Sequence, residues 1–167
     1  MKNILLSCLI LLTVISFSQN KAEEYFKSAE TKSQNGNYEE AISDYTKAIE
    51  SDPEMLNAYL QRGFTYSLIE KYEEAINDYT KVIELQKNHI WAYISRGSAY
   101  NKLKQYDKAL QDFNIALELD PENEEAYNNR GWAKKGMGDF EGACKDWKKS
   151  KKLGNKEAKI ILKNNKC

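Results

Sequence analysis

The chain has 167 residues, of which 41% are hydrophobic and 30% charged, with 25 basic residues against 25 acidic ones. This composition is typical of a folded chain and excludes global disorder. A formal net charge of zero gives no whole-chain electrostatic reason to bind nucleic acid. A single histidine leaves little material for His-dependent catalysis or for a metal site.

The first segment of the chain, residues 1–18, has the pattern of a secretory signal. Lys2 precedes an apolar run that is shorter than the roughly 20 residues of a membrane-spanning helix. Ser16 and Ser18 are the small residues expected before a cleavage site, which makes Gln19 the new N-terminus. We therefore expect export to the periplasm or the cell exterior. The alternative is an uncleaved N-terminal anchor.

A repeat of 34 residues fills most of the remaining chain. Arg62-Gly63, Arg96-Gly97 and Arg130-Gly131 follow one another at this spacing, and no insertion separates the copies. The same shift aligns four further kinds of position in four copies. These are tyrosines (Tyr25, Tyr59, Tyr93, Tyr127), alanines (Ala41, Ala75, Ala109, Ala143), aspartates (Asp44, Asp78, Asp112, Asp146) and aromatic residues (Tyr45, Tyr79, Phe113, Trp147). The predicted units are 22–55, 56–89, 90–123 and 124–155.

Each unit has the apolar periodicity of two α-helices joined by a polar turn. Asp52-Pro53 and Asp120-Pro121 end the second helix of their units, because proline cannot continue the helical hydrogen-bond ladder. Glycine in the first helix, as at Gly97, lets the two axes of a unit approach closely. We expect these glycines to face the alanines of the second helix.

These positions resemble the tetratricopeptide repeat family. Its pattern of small, aromatic and alanine residues followed by proline is present as Gly97, Tyr100, Ala109, Phe113, Ala116 and Pro121. The resemblance implies an all-α solenoid of antiparallel helix pairs, wound into a right-handed superhelix. Residues 156–167 are predicted to form a capping helix and tail. Arginine stands at 62, 96 and 130, where the family frequently has leucine.

The repeated arginines and aspartates are the most regular charged feature of the sequence. Arg96 and Asp112, for example, lie on the two helices of one unit, so a bidentate ion pair can join them. Anion binding or catalysis is the alternative for these residues. Their periodic occurrence favours a repeated structural support.

The sequence offers no convincing catalytic or cofactor site. His89 lies at a junction between repeats and is expected to be a solvent-facing loop residue. No Ser/His/Asp or Cys/His arrangement can be completed convincingly from one histidine. The sequence contains neither a glycine-rich phosphate loop nor clustered metal ligands. We predict that the chain is not an enzyme and binds neither a cofactor nor a metal.

Removal of the signal leaves two cysteines, Cys144 and Cys167. An even number of cysteines in an oxidising compartment favours a disulfide. The alternative for Cys144 is a small buried thiol, because Ile42, Ile76 and Leu110 occupy the same repeat position. A bridge would tie the capping helix to the fourth repeat.

Charge is unevenly distributed along the chain. Residues 134–166 contain eleven lysines against four carboxylates, a net charge of +7, whereas residues 21–130 carry a net charge of −8. The basic end can meet anionic lipid or an acidic partner, but solvation of a terminal cap explains it more simply. Membrane-surface binding is therefore possible but not favoured, and nucleic acid is not an expected partner.

The resemblance also implies a binding groove lined by the first helices of the repeats. Large apolar, serine and amide side chains outside the packing positions are the expected groove residues. They are Asn57, Leu60, Gln61 and Phe64 in the second unit, Trp91, Ile94, Ser95 and Ser98 in the third, and Asn128, Asn129 and Trp132 in the fourth. The alternative is that some of them fill gaps between repeats.

In the family, one well-known groove clamps a C-terminal carboxylate with basic residues and asparagine. The corresponding positions here hold residues such as Trp91, Ser95 and Glu125, so that mode is not expected. We predict a non-catalytic scaffold that binds a peptide or partner protein. The alternative is an accessory subunit of a cell-envelope complex that docks through its outer face and basic end.

Overall fold

The computed structural model describes residues 19–167. Those residues form nine α-helices and no strand, which confirms the predicted all-α class. The first helix, α1, spans 19–34. The others are α2 (Tyr38–Ser51), α3 (Leu56–Leu68), α4 (Tyr72–Leu85), α5 (Ile90–Lys102), α6 (Tyr106–Leu119), α7 (Glu124–Gly136), α8 (Phe140–Lys152) and α9 (Lys156–Asn164). The predicted signal at 1–18 lies outside the described residues.

The turn inside each helix pair uses a left-handed backbone position that also recurs every 34 residues. Gly36 and Gly138 adopt it with φ of 80° and 87°, and Glu70 and Lys104 adopt it with φ of 60° and 59°. Glycine reaches this region without a steric penalty, whereas a residue with a Cβ atom pays one of about 1–2 kcal/mol. Tertiary packing of the two inner repeats therefore holds their turns in place.

The helix pairs stack as a solenoid. α3 packs on α4, α5 on α6 and α7 on α8, and each second helix also contacts the first helix of the next pair. The first helices contact one another directly, α3 with α5 and α5 with α7. This closer spacing places α3, α5 and α7 on the inner, concave side of the array.

The core between paired helices consists of alanines and large aromatic rings. Ala75, Ala109 and Ala143 are completely buried, as are the rings of Phe113 and Trp147. The glycines face these aromatic rings. A Cβ atom added to Gly97 would lie 2.8 Å from the Phe113 ring, and one added to Gly131 would overlap Trp147. The nearest neighbours of these glycines are thus the large rings, which occupy the space that glycine leaves; the predicted alanine contact stays a prediction.

The arginine–aspartate pairs form in every unit that has both residues. Arg96 donates from Nε and Nη2 to the two carboxylate oxygens of Asp112, at 2.9 and 2.8 Å. Its Nη1 donates to Thr80 Oγ1 of the preceding repeat at 3.0 Å. Arg62 and Arg130 make the equivalent bonds to Asp78 and Asp146, and their preceding-repeat partners are Thr46 and Asn114. Each guanidinium thus joins both helices of its own repeat to the repeat before it.

The first repeat satisfies its aspartate without an arginine. Ser28 Oγ, Lys32 Nζ and Lys47 Nζ donate to Asp44 at 2.7, 2.6 and 2.8 Å. Burial alone would raise the pKa of Asp44, but these three hydrogen bonds outweigh burial and hold the pKa well below its usual range. The terminal unit therefore keeps the same charged centre with different donors.

The C-terminal helix α9 packs on α8 and buries Ala158 completely. Asn155 begins this helix, and its side-chain oxygen accepts a hydrogen bond from the Ala158 amide at 3.0 Å. A disulfide joins Cys144 of α8 to Cys167, with the two Cα atoms 5.5 Å apart. In residues 19–167, we find no helix with both the length and the apolar character needed to cross a bilayer.

Candidate protein-binding groove

The inner face carries a cavity of about 380 Å³ between α3 and α5, which we call the central groove. Its apolar wall is formed by Phe64 and Leu68, which are 51% and 46% exposed. Its polar wall is formed by Ser95 and Ser98 of α5, with Lys102 at one end. Exposed apolar side chains beside hydroxyl groups are what an extended peptide needs, since its backbone is polar and its side chains are mixed.

The floor of the central groove is the hydroxyl end of a core residue. The ring of Tyr79 is buried, and its hydroxyl lies 3.3 Å from Ser67 Oγ. Burial raises the pKa of Tyr79, so this hydroxyl keeps its proton. The floor is therefore a rigid, neutral hydrogen-bonding surface supported by the repeat core.

A second cavity of about 450 Å³ adjoins the first and shares Ser98 and Lys102 with it. We call it the asparagine pocket, because three asparagines from two helices line it. Its walls come from α5, α6, α7 and α9. They consist of Ser98, Asn101, Lys102, Tyr106, Asn128, Asn129, Trp132 and Glu157.

Hydrogen bonds fix most of the pocket wall. Asn129 Nδ2 donates to Ser98 Oγ at 3.2 Å, and Asn101 Nδ2 donates to the Asn129 carbonyl at 3.0 Å. Trp147 Nε1 donates to the Asn128 carbonyl at 3.1 Å, while its ring packs edge-on against Trp132 at 5.1 Å. α5 and α7 are therefore held together by polar bonds at the concave surface as well as by their core contacts.

Carboxylates border the same region. Glu125 lines the central groove, and a third cavity of about 480 Å³ places Glu124, Glu125 and Glu157 around Asn128. Burial raises the pKa of Glu125, and the neighbouring charge of Glu124 raises it further, whereas a hydrogen bond from Asn129 lowers it. This end of the inner face is consequently rich in hydrogen-bond acceptors.

Apart from Ile94, the predicted groove residues divide into two groups. Those that line the cavities are Phe64, Ser95, Ser98, Asn128, Asn129 and Trp132. Those that lie on α3 or α5 outside these cavities are Asn57, Leu60, Gln61 and Trp91, and the Trp91 side chain is 55% exposed. Which of these residues contact a partner stays a prediction.

Ile94 is a correction to the predicted groove. It is only 1% exposed and belongs to the core cluster that contains Phe113 and Ala126. Its side chain points between repeats, so the alternative that apolar residues of the first helices fill inter-repeat gaps holds for this residue.

Several residues of the inner face were not predicted. Leu68 and Lys102 share one repeat position at the C-terminal ends of α3 and α5, four residues beyond Phe64 and Ser98. Their shared repeat position was the sequence signal that could have identified them as residues of the inner face. Glu157 comes from α9, which lies outside the repeat, so no periodic signal pointed to it.

His89 has a structural role. Its Nδ1 accepts a hydrogen bond from the Ala92 amide at 3.1 Å and thereby caps the N-terminus of α5. It lies in the loop before α5, as expected, and is half-buried rather than fully exposed to solvent. Within residues 19–167 no cluster of three potential metal ligands is present.

A separate cavity of about 500 Å³ lies within the lysine-rich C-terminal segment, residues 134–166, which we call the basic end. Its walls are Lys148, Lys151, Lys152 and Lys163, together with Leu162 and Cys167. It lies on α8 and α9, away from the inner helices α3 and α5. The described part of the chain thus has two separate candidate surfaces, an inner face with apolar, hydroxyl, amide and carboxylate groups and a lysine-rich C-terminal end.

This architecture is that of a helical-repeat scaffold for protein interaction. A family model described as "Tetratricopeptide repeat" matches residues 56–89 and 90–123, and one described as "TPR repeat" matches residues 32–69. Together they span more than half of the chain. The chain belongs to the tetratricopeptide repeat family, whose members are generally non-catalytic interaction domains.

Solved structures agree with this assignment. The chain is 26% identical to MamA in its crystal structure, with a TM-score of 0.76 over 88% of this chain and 86% of that one. MamA (41-end) from Desulfovibrio magneticus RS-1 is 25% identical, with a TM-score of 0.76 over 80% and 76%. The first repeat domain of Spaghetti (RPAP3), bound to the HSP90 peptide SRMEEVD, is 28% identical, with a TM-score of 0.69 over 72% and 95%. No curated protein matches the sequence.

Proposed function

We propose that this chain is an exported, non-catalytic scaffold that binds an extended segment of a partner protein along its inner face. The observation that carries the proposal is the exposed apolar wall of Phe64 and Leu68 beside the serines of α5, in a cavity that continues into the asparagine pocket. A rigid solenoid loses little conformational entropy when a ligand binds, so less of the contact energy is lost to ordering the protein.

The solved structure of the Spaghetti domain with an HSP90 peptide supports peptide binding by this architecture. That peptide ends in the acidic residues of SRMEEVD. Here the inner face presents Glu125 and Glu157, with Lys102 as its nearby cation. We therefore propose a ligand that is not acidic at the segment that reaches the asparagine pocket.

The proposal is tested by photo-crosslinking in the native cell. A crosslinking residue at Phe64 and another at Trp91 probe the inner face, and a matched residue at Lys151 probes the basic end. We expect one dominant adduct from Phe64 and no corresponding adduct from Lys151. Adducts from Lys151 alone would overturn the groove proposal.

A second candidate function is that of an accessory subunit of a cell-envelope complex that docks through the basic end. The four lysines around the cavity of that end favour it, because they form a concentrated cationic surface. Reversing two of these charges, as in Lys148→Glu with Lys152→Glu, is expected to abolish docking of this kind. The same change leaves the central groove intact, so co-purification of the partner separates the two candidates.

Export rests on the sequence of residues 1–18 and is consistent with the disulfide between Cys144 and Cys167. We expect the protein recovered from the periplasm or the medium to begin at Gln19. N-terminal sequencing of fractionated cells provides the measurement. An intact N-terminus in the membrane fraction would support the anchor instead, and an intact N-terminus in the cytoplasm would contradict export.

A further inference from the structure

We propose that the asparagine pocket is a binding site for a guanidinium group, supplied by an arginine side chain of the partner. The proposal rests on the groove function proposed above and specifies which chemistry one part of the groove recognises.

Two orphaned acceptors carry the inference. Among the described residues, Asn101 Oδ1 and Asn128 Oδ1 are the buried side-chain polar atoms without a hydrogen-bond partner, and both residues line the asparagine pocket. Asn128 is only 7% exposed, so its orphaned oxygen is an unfavourable feature of the unliganded protein. A buried acceptor without a protein partner calls for a donor from outside the chain, and a ligand that enters the pocket can supply it.

The position of Asn128 in the repeat strengthens this argument. The corresponding residues of the earlier repeats are Phe26, Leu60 and Ile94, all apolar, and Ile94 is fully buried in the core. An amide in the last repeat therefore replaces a side chain that would pack without any polar cost. Packing alone does not explain Asn128.

The surroundings select a cationic donor. Glu124, Glu125 and Glu157 border Asn128, whereas the cations that line the same cavities are Lys102 and Lys156. Burial and the charge of Glu124 raise the pKa of Glu125, so a cation nearby would relieve an existing electrostatic cost. A neutral donor would satisfy the asparagines but would leave this cost in place.

A guanidinium fits better than a compact ammonium. It carries five N–H donors in a planar fork, so one group can reach separate acceptors on α5 and α7 while facing a carboxylate. The side-chain amides can turn toward it at little cost, because the terminal torsion of asparagine is broad. The Tyr106 ring also lines the pocket and can pack against such a plane, whereas Lys135 Nζ already lies 5.1 Å from the ring centroid of Trp132.

The test uses N-acetyl-arginine amide as the probe and N-acetyl-citrulline amide as its neutral, nearly isosteric control. Binding to the purified, oxidised chain is followed by NMR through the side-chain amide signals of Asn101 and Asn128. We expect saturable shifts of both signals with the arginine probe, and about tenfold or more weaker binding of citrulline. Absence of shifts with arginine, or equal binding of the two probes, would overturn the proposal.

Asn128→Leu is the decisive variant, because leucine occupies the same repeat position at Leu60. We expect this variant to be at least as stable to heat as the wild type and to bind the arginine probe about tenfold more weakly or worse. Glu125→Gln, which preserves shape, should weaken binding in the same direction. Asn88→Leu, in the exposed turn before α5, is the matched control and should bind normally. Unchanged arginine binding in Asn128→Leu would contradict the proposal.

These results are separable from the groove test. If a partner is crosslinked at Phe64 but the arginine probe shifts no NMR signal, the guanidinium site is rejected and the groove is kept. If the arginine probe shifts the NMR signal of Asn128 but no adduct forms at Phe64, the guanidinium site is kept and the groove function is rejected.

Discussion

Replacing Arg96 with alanine is expected to lower the free energy of unfolding by about 3–5 kcal/mol, a large part of the stability of a domain this size. The change leaves Asp112, whose side chain is 4% exposed, without its bidentate partner. It also removes the bond to Thr80, and with it one link to the preceding repeat. The measurement is thermal and urea unfolding, with a fall in Tm on the order of 10 °C.

Two controls separate charge, geometry and burial. Arg96→Lys keeps the positive charge but loses the planar fork, so its stability should lie between that of the wild type and that of the alanine variant. The double variant Arg96→Met with Asp112→Leu removes both charges and should recover most of the lost stability, because no buried charge is left unpaired. Wild-type stability in Arg96→Ala would show that the ion pair is not a structural support.

Loss of the Cys144–Cys167 disulfide is expected to destabilise the docking of α9 by about 3 kcal/mol. The bridge closes a segment of 23 residues between α8 and the end of the chain. Without it, α9 is held on α8 mainly through Ala158 and its neighbours. Faster amide exchange across Lys156–Asn164 in Cys167→Ser, with little change in α3 to α6, is the expected result.

The disulfide itself is tested by counting free thiols in the denatured, unreduced protein. Two reactive thiols would contradict the bridge. Loss of the bridge should also weaken binding of the arginine probe, because Glu157 of α9 lines the asparagine pocket. Cys167→Ser is preferable to a change at Cys144, since Cys144 lies within α8 whereas Cys167 follows the end of α9.

The fold could be predicted from the sequence because residues 34 positions apart have equivalent packing environments. Tyr79, Phe113 and Trp147 occupy one position and all are buried. The close contact between the glycines and these rings could not be predicted this way, because periodicity shows which residues are equivalent but not which ones touch. The Arg96–Asp112 pair was predictable, whereas its third partner, Thr80, lies in the preceding repeat and depends on how the repeats stack.

The inner face was predicted less completely for related reasons. Ile94 and Phe64 are both apolar residues of first helices, and only the packing of neighbouring repeats buries one and exposes the other. Asn128 was expected to be an exposed groove residue, yet it lines two cavities while almost fully buried. Glu157 belongs to a helix without repeat equivalents, so its position depended on the tertiary structure.

The most direct test of the central claim uses the partner that crosslinking recovers. Its affinity is measured for three forms of the chain. Calorimetric titration would compare the wild type, Phe64→Ala and Lys151→Ala, the last altering the basic end. We expect Phe64→Ala to weaken binding about tenfold or more, because it removes an exposed apolar contact at the centre of the groove, and Lys151→Ala to bind as the wild type does. Undiminished binding by Phe64→Ala, with a loss in Lys151→Ala, would contradict binding along the inner face.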